Sequence, residues 1–255
     1  MRDTFFRLVV IIAFAAASAL AQNSDTDNHN VTDAQLGEIV QWLGVAVSND
    51  DIMALAKSIS AKWREDQRIT AAQQDVFVKE LASRVSGDAL TKSMLDVLRR
   101  HYNDAVLLQI HRQLSTPLAV RARNFDIVME MPGALERFER WQQTTGSSNS
   151  QREEAVLDLD RALRQARFSA VLQTAVENAL RKSAAEGALS PPLTMAYIDQ
   201  RTQALREVSE KLNLYTYRFM RVDEIQQLAN LYAGNDIQQA LDLLHSQVAK
   251  FFLPR

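Results

Sequence analysis

The chain of 255 residues has no cysteine, which excludes disulfide bonds, thiolate chemistry and lipid attachment at cysteine. Its 29 basic and 31 acidic side chains give a net charge of −2, without the basic excess that proteins binding duplex nucleic acid normally have, so nucleic acid is not an expected partner. The seven glycines and five prolines are few for this length, and most lie between amphipathic segments. Glycine and proline at the ends of amphipathic segments predict an all-α protein.

The first 21 residues have the pattern of a secretory signal peptide. Arg2 and Arg7 flank a short charged start, and an apolar run from Leu8 to Leu20 follows it. Ala19-Leu20-Ala21 at the end of this run is a small-x-small cleavage site. An uncleaved membrane anchor is the alternative, but the run is shorter than the ~20 residues that span a bilayer. We therefore expect a periplasmic or secreted protein that is soluble after cleavage, with a flexible polar leader over residues 22–31.

Four amphipathic helices are predicted between positions 32 and 102. Thr32 with Gln35, and Thr70 with Gln73, have the spacing of capping boxes that begin the first and third helices. The segment Asn49-Asp50-Asp51 is expected to cap the second helix rather than to bind a cation. The predicted buried positions recur at helical spacing and are Leu36, Ile39, Val40, Leu43, Val47, Ile52, Leu55, Ile59, Trp63, Val76, Phe77, Leu81, Val85, Leu90, Met94, Leu98 and Tyr102.

Two glycines, Gly37 and Gly44, lie one heptad apart in the first predicted helix. They allow two interpretations. Either another backbone approaches the helix closely at these positions, or the glycines merely weaken the helix.

A helical hairpin follows the fourth helix. Asn103-Asp104 begins a short helix, Ser115-Thr116-Pro117 turns the chain, and a second helix extends to Glu130. Proline suits the first position of that second helix, where its missing N–H costs nothing. Pro132-Gly133 ends it, and residues 134–143 are predicted to form one more helix.

Residues 144–150 (TTGSSNS) are a run of small polar residues that suits a boundary. The predicted organisation is therefore an N-terminal helical half at 32–145, a linker at 146–150 and a C-terminal helical half at 151–255. About ten helices are expected in all. Whether the halves form one domain or two stays open.

The second half is predicted to begin with one long helix. Its apolar stripe continues from Ser150 to about Ala185, and ~35 helical residues would extend on the order of 50 Å. After Pro191-Pro192, a further helix is expected from Leu193 to about Tyr217. A second hairpin completes the chain.

The hairpin sequence occurs twice, at an offset of 118 positions, in residues 106–122 (VLLQIHRQLSTPLAVRA) and 224–240 (EIQQLANLYAGNDIQQA). The apolar positions coincide in five pairs, which are Leu107 with Ile225, Ile110 with Leu228, Leu114 with Tyr232, Ala119 with Ile237, and Ala122 with Ala240. Few residues are identical, so duplication and chance similarity both stay open. If the hairpins are equivalent, Leu114 and Tyr232 should both be buried.

The two turns resemble a known sequence pattern. The first reads Leu114-Ser115-Thr116-Pro117-Leu118-Ala119-Val120-Arg121, and the second reads Tyr232-Ala233-Gly234-Asn235-Asp236-Ile237-Gln238-Gln239. They are similar to a family of bacterial periplasmic helical proteins of unknown function, in which an aromatic-x-Ser/Thr-Pro-x-Gly-x-Lys turn joins two helices. The first copy lacks the aromatic residue and the glycine, and the second lacks Thr-Pro and the basic residue. The resemblance implies a periplasmic address and a helical architecture, and no activity.

Tyr215, Tyr217, Phe219 and Met220 belong to the densest aromatic and sulfur cluster in the sequence. One interpretation is a contact site for a ligand or a partner protein. The other is core packing between the long helix and the second hairpin.

The histidines show no metal-binding pattern. A bundle-type site requires Glu-x-x-His on two helices, whereas this chain has His101-x-x-Asp104 and Asp242-x-x-His245. His29 falls in the leader, and His111 has no spaced partner. Nucleophile elbows, glycine-rich phosphate loops and His-Glu-x-x-His are also missing from the sequence. We expect no metal or other cofactor, and partly exposed histidines.

Carboxylates on helices are the chemistry of a cell-wall glycosidase, the enzyme class that suits the predicted compartment. Glu153, Glu154, Glu177 and Glu210 are the candidates. Each lies in a charged helical stretch, where a solvated face is the expected state.

Three functions follow as hypotheses. The first, which we adopt, is a non-catalytic protein that binds a partner protein through a groove between helices, and an exposed apolar patch would favour it. The alternative is a binding module for an apolar small molecule or lipid, which a cavity lined by the residue 215–220 cluster would favour. The second alternative is the glycosidase, which requires carboxylates converging in a polar cleft.

Overall fold

A computed structural model describes residues 30–130, 133–144, 150–183 and 194–252. In these ranges the chain forms twelve α-helices and no strand, which confirms the predicted all-α class. The helices are α1 (Asp33–Trp42), α2 (Asn49–Glu65), α3 (Ala71–Arg84), α4 (Gly87–His101), α5 (Asp104–Leu114), α6 (Pro117–Glu130), α7 (Ala134–Thr144), α8 (Ser150–Leu163), α9 (Gln165–Ser183), α10 (Met195–Thr216), α11 (Val222–Tyr232) and α12 (Asn235–Phe251). A search of these helices finds none that is both long and apolar enough to cross a bilayer.

The N-terminal edge of the described chain is already part of the core. Val31 is buried immediately before the N-cap Thr32, and Leu36, the fourth residue of α1, belongs to the same hydrophobic cluster. This is the arrangement of a hydrophobic staple. The predicted flexible leader therefore ends before Val31. The predicted signal peptide, residues 22–29 of the leader and residues 146–149 of the linker lie outside the described residues.

Side-chain caps begin the first helices, as their sequences predict. The Gln35 N–H donates to Thr32 Oγ1 at 3.2 Å, and the Thr32 N–H donates to Gln35 Oε1 at 2.9 Å. Thr70 and Gln73 repeat this capping box at α3. At α2 the cap is Ser48, whose N–H donates to Asp51 Oδ2 at 2.9 Å. The acidic segment thus begins a helix, because its carboxylate satisfies a free backbone N–H.

Gly44 ends α1 and does not lie within it. Its φ is +69°, its N–H donates to the Gln41 carbonyl, and the Val45 N–H donates to the Val40 carbonyl, which is a Schellman motif. A Cβ added at Gly37 or Gly44 would have no neighbouring atom within 4 Å. Close backbone approach is therefore the wrong interpretation of both glycines.

Close approach occurs instead at Gly87, the first residue of α4. A Cβ there would lie 2.7 Å from the Val47 carbonyl oxygen and 2.8 Å from the Asn49 nitrogen. The Gly87 N–H also donates to Asn49 Oδ1. The start of α4 is therefore packed directly on the backbone that leads into α2.

We expect Gly87→Ala to destabilise the protein by about 1–3 kcal/mol, because the added methyl group meets backbone atoms that must shift. Gly37→Ala is the matched control. It places alanine in the interior of α1, where space is open, and should stabilise the protein by about 0.5–1 kcal/mol. Urea unfolding of both variants measures the change in the free energy of unfolding, which should have opposite signs in the two. An unchanged stability of Gly87→Ala would contradict the packing argument.

The single long helix predicted from Ser150 is wrong. The structure contains two helices, α8 and α9, joined at Arg164, whose φ of +54° is left-handed. In an unbroken helix the Ala162 carbonyl would accept the Ala166 N–H, but here it accepts from Gln238 Nε2 of α12 at 2.7 Å. Arg164 also forms an ion pair with Asp242 of α12. Contacts with a distant helix therefore hold the break, which no glycine or proline marks in the sequence.

The two hairpins correspond in the structure as they do in the sequence. α5 and α11 are each 11 residues long, and their bounds differ by the same 118 positions. All ten residues of the five aligned pairs are buried, with at most 4% exposed. The predicted burial of Leu114 and Tyr232 is confirmed. The helices that they pack against also correspond. α5 packs on α1, the first helix before the predicted linker, and α11 packs on α8, the first helix after it.

We expect Leu114→Ala and Tyr232→Ala each to cost about 2–5 kcal/mol, because each removes a large buried side chain. Tyr232→Ala also removes the hydroxyl that donates to the Trp42 carbonyl at 3.2 Å. Asn230→Ala is the control, since Asn230 is exposed and its loss should stay within about 0.5 kcal/mol. Gln113, also predicted to face solvent, is half-buried and serves less well. A near-neutral Tyr232→Ala in denaturant melts would overturn the equivalence of the hairpins.

Helices from before and after the predicted linker share one hydrophobic core. α9 lies inside it and packs against α2, α3, α10 and α12, while α12 also packs against α4. A second, smaller cluster consists of Ala134, Phe138, Leu212 and Tyr215, with Trp141 packed against it. The smaller cluster joins α7 to the C-terminal end of α10.

Candidate functional site

The most prominent aromatic feature at the surface is an aromatic–arginine patch, defined as Phe138, Trp141, Tyr215, Arg218 and Phe219. The Tyr215 ring lies 5.4 Å from the rings of Phe138 and Trp141, centroid to centroid. The Arg218 guanidinium lies 3.8 Å from the Tyr215 ring centroid and 4.4 Å from that of Phe219. The Phe219 side chain is 69% exposed. A continuous series of aromatic and cation–π contacts thus leads from a buried cluster to an exposed ring.

A tight turn after α10 produces this arrangement. Tyr217 caps the helix, and the Met220 N–H donates to the Tyr217 carbonyl at 3.0 Å. Arg218 Nη1 donates to the carbonyl of Tyr215 at the helix end, which also accepts from the Arg218 N–H at 3.4 Å. The guanidinium is therefore held over the rings by both a hydrogen bond and a cation–π contact.

The four residues predicted as a ligand or partner contact do not come together in one site. Tyr215 packs into the smaller cluster, whereas Tyr217 and Met220 are buried in the main core. Phe219 alone faces solvent. The turn directs successive side chains to different sides, so adjacency in sequence does not become adjacency in space.

One histidine differs from the expectation of partly exposed rings. His245 on α12 is 5% exposed, neither ring nitrogen has a hydrogen-bond partner among the described residues, and the ring lies 5.5 Å from Phe168. Burial, with the nearby charges of Arg164 and Arg167, lowers the pKa of His245 to about 4 despite the opposing charge of Asp242.

The remaining histidines have other roles. His111 Nε2 lies 2.6 Å from a Glu38 oxygen, and His101 Nδ1 lies 2.9 Å from the Val97 carbonyl. Within the described ranges, no three His, Asp or Glu side chains are placed to hold a metal ion.

Among the candidate carboxylates, Glu177 is buried, which corrects its predicted place on a solvated face. It accepts from Arg181 Nη2 at 2.9 Å and from Arg201 Nη2 at 3.0 Å. Glu154 is exposed, and Glu210 is half-buried. Glu177 therefore links α9 to α10 through arginine.

A second buried carboxylate, Asp160, is not among the predicted site residues. It is 4% exposed and accepts hydrogen bonds from Ser209 Oγ and from Asn213 Nδ2 of α10. Burial raises the pKa of Asp160 to about 6; Glu210 adds to this effect, while Ser209, Arg206 and Asn213 oppose it. A sequence signal exists, because Asp160 lies four residues after Val156 on the same helical face.

Three residues of the patch, Phe138, Trp141 and Arg218, are also not among the predicted site residues. Phe138 and Trp141 are recognisable as one side of α7, and Arg218 lies between two aromatic residues in the sequence. Their meeting depends on α7 packing against α10, and no local pattern encodes that contact.

Comparison with known proteins identifies no relative: no family model, curated protein or solved structure matches this chain. The residues and their geometry are therefore the basis for a functional proposal.

Proposed function

We propose that this protein is a non-catalytic binding protein that takes a segment of a partner protein between α7 and α10, at the aromatic–arginine patch. The observation that supports this function is the 69% exposed ring of Phe219, stacked on a fixed Arg218. Aromatic residues and arginine are the side chains that contribute most to protein–protein binding. Export through the predicted signal peptide would place the patch in the periplasm or outside the cell.

The patch is prepared for binding because its arginine is already ordered. Arg218 is held by the Tyr215 carbonyl and by two rings, so little side-chain entropy is lost when a partner docks. Trp141 is half-buried beside Tyr215 and widens the apolar surface. An apolar side chain of the partner with an adjacent carboxylate would match Phe219 and Arg218 together.

The two alternative functions, a binding module for an apolar small molecule or lipid and a glycosidase, have weaker support in this geometry. Three of the four residues nominated to line an apolar cavity pack into the interior. Among the carboxylates nominated for a glycosidase, Glu177 has both oxygens engaged by arginine and Glu154 is exposed.

A photoreactive phenylalanine analogue at position 219 should crosslink to one protein in cells, and the same analogue at position 76 should not. Val76 is the matched control, because it is also apolar and lies on α3, where it is 58% exposed and not buried as its spacing predicted. With the purified partner, Phe219→Ala should weaken binding about 30-fold, the size expected of a central aromatic contact, and Val76→Ala should leave it unchanged. Equal crosslinking from both positions, or unchanged affinity of Phe219→Ala, would refute the patch as the binding surface.

A further inference from the structure

The turn that presents Phe219 is held from another helix. The Tyr217 carbonyl closes this turn by accepting the Met220 N–H at 3.0 Å, and the same carbonyl accepts from Arg152 Nη1 at 3.1 Å. Arg152 lies in the first turn of α8, 65 residues before Tyr217 in the chain. One carbonyl therefore joins the turn to a helix that lies outside the aromatic–arginine patch.

The packing of α8 brings Arg152 to this carbonyl. α8 packs on both α10 and α11, the two helices that the turn connects. Ala155 and Val156, three and four residues after Arg152, are buried, so Arg152 lies on the same face of α8. Its side chain is half-buried, and none of the carboxylates in the described ranges forms an ion pair with it. The contact that the structure gives its guanidinium is therefore the one with the turn.

The exposed ring of Phe219 depends on the turn for its direction. Phe219 is 69% exposed and belongs to neither hydrophobic cluster. The guanidinium in contact with its ring, that of Arg218, comes from the same turn. A ring that is not packed into the core is held in one direction only if its backbone is fixed.

We infer that Arg152 is a positioning residue of the aromatic–arginine patch. It fixes the turn through the Tyr217 carbonyl and so holds Phe219 ready for the partner, without itself touching the partner. A hydrogen bond from a guanidinium is charge-assisted, which makes it a strong restraint for a single side chain to supply. A side chain that is already ordered loses less entropy when a partner docks. The inference rests on the proposed binding function of the patch.

Amide hydrogen exchange tests the restraint without any partner. In Arg152→Met, which keeps an unbranched side chain and removes the guanidinium, the Met220 amide should exchange about tenfold faster, because the turn opens more often. Amides of α4 should keep their wild-type rates, which a general loss of stability would not allow. Arg161→Met is the control on the same helix, because Arg161 is exposed and pairs with Asp158. Unchanged exchange at Met220 in Arg152→Met would overturn the inference.

Affinity for the protein that crosslinks at position 219 tests the effect on binding. Arg152→Met should weaken this affinity about tenfold, and Arg152→Lys, which retains a charged donor, should recover part of the loss. In a Phe219→Ala background, Arg152→Met should have no further effect, because its effect passes through the Phe219 ring. A full effect in that background would show that Arg152 contacts the partner directly, and it would overturn the positioning role.

The positioning role and the proposed function fail in different ways. Unchanged affinity of Phe219→Ala refutes the patch itself. Weakened binding by Phe219→Ala, together with wild-type binding by Arg152→Met, leaves the patch standing and overturns the role of Arg152. Arg152→Gln, which keeps a polar side chain, takes the place of Arg152→Met in every comparison if circular dichroism shows that the methionine variant does not fold.

Discussion

Asp160→Asn is expected to stabilise the protein by on the order of 3 kcal/mol at pH 7.5 and to have almost no effect near pH 4. The pKa of Asp160 is raised from 3.8 to about 6 in the folded state, chiefly by burial. Folding therefore favours the protonated carboxyl, and its contribution to stability is lost as pH rises from about 4 to 6. Asparagine removes the buried charge and retains an oxygen that accepts from Ser209 and Asn213.

Urea unfolding of wild type and variant at both pH values measures this difference. Asp158→Asn is the control two residues earlier, because Asp158 is partly exposed and pairs with Arg161, an interaction worth little at a surface. A destabilised Asp160→Asn at pH 7.5 would show that the hydrogen bonds to the ionised carboxylate outweigh the cost of burying it.

His245→Leu is expected to give the opposite pH dependence. The folded-state pKa of His245 is lowered from 6.5 to about 4, so the folded protein favours the neutral ring. This contribution to stability is complete above pH 6.5 and falls by on the order of 3 kcal/mol as the pH drops to 4. Leucine removes the titration and two unpartnered nitrogens, and it should stabilise the protein at pH 7.5 by about 1–3 kcal/mol and further at pH 4.

The same unfolding series tests this second expectation, with His101→Gln as the exposed control. In the wild-type protein, the two buried groups change stability in opposite directions over the same pH range. Asp160→Asn should therefore lose stability on acidification from pH 6.5 to 4, whereas His245→Leu should gain it. If the His245→Leu protein also loses stability on acidification, as the Asp160→Asn protein should, then a group other than His245 causes that loss.

Helix starts and turns could be predicted from the sequence because they depend on residues within one turn of each other. The capping boxes at Thr32 and Thr70 form as predicted, since a side chain three residues away satisfies the free N–H groups. The hairpin bounds follow for the same reason, with Pro117 beginning α6 and Gly234 preceding α12. The apolar spacing also identified most of the core, because helical periodicity determines which residues share a face.

The sequence by itself thus determined the all-α class, the hairpin register and the burial of Leu114 and Tyr232. The tertiary structure alone decided the break at Arg164, which α12 holds through Gln238 and Asp242. It also separated Phe219 from its buried neighbours and enclosed Asp160, Glu177 and His245. The physical reason is that periodicity shows which face of a helix is apolar. Whether a polar residue on that face is buried, and which partner it meets, depends on the helix packed against it.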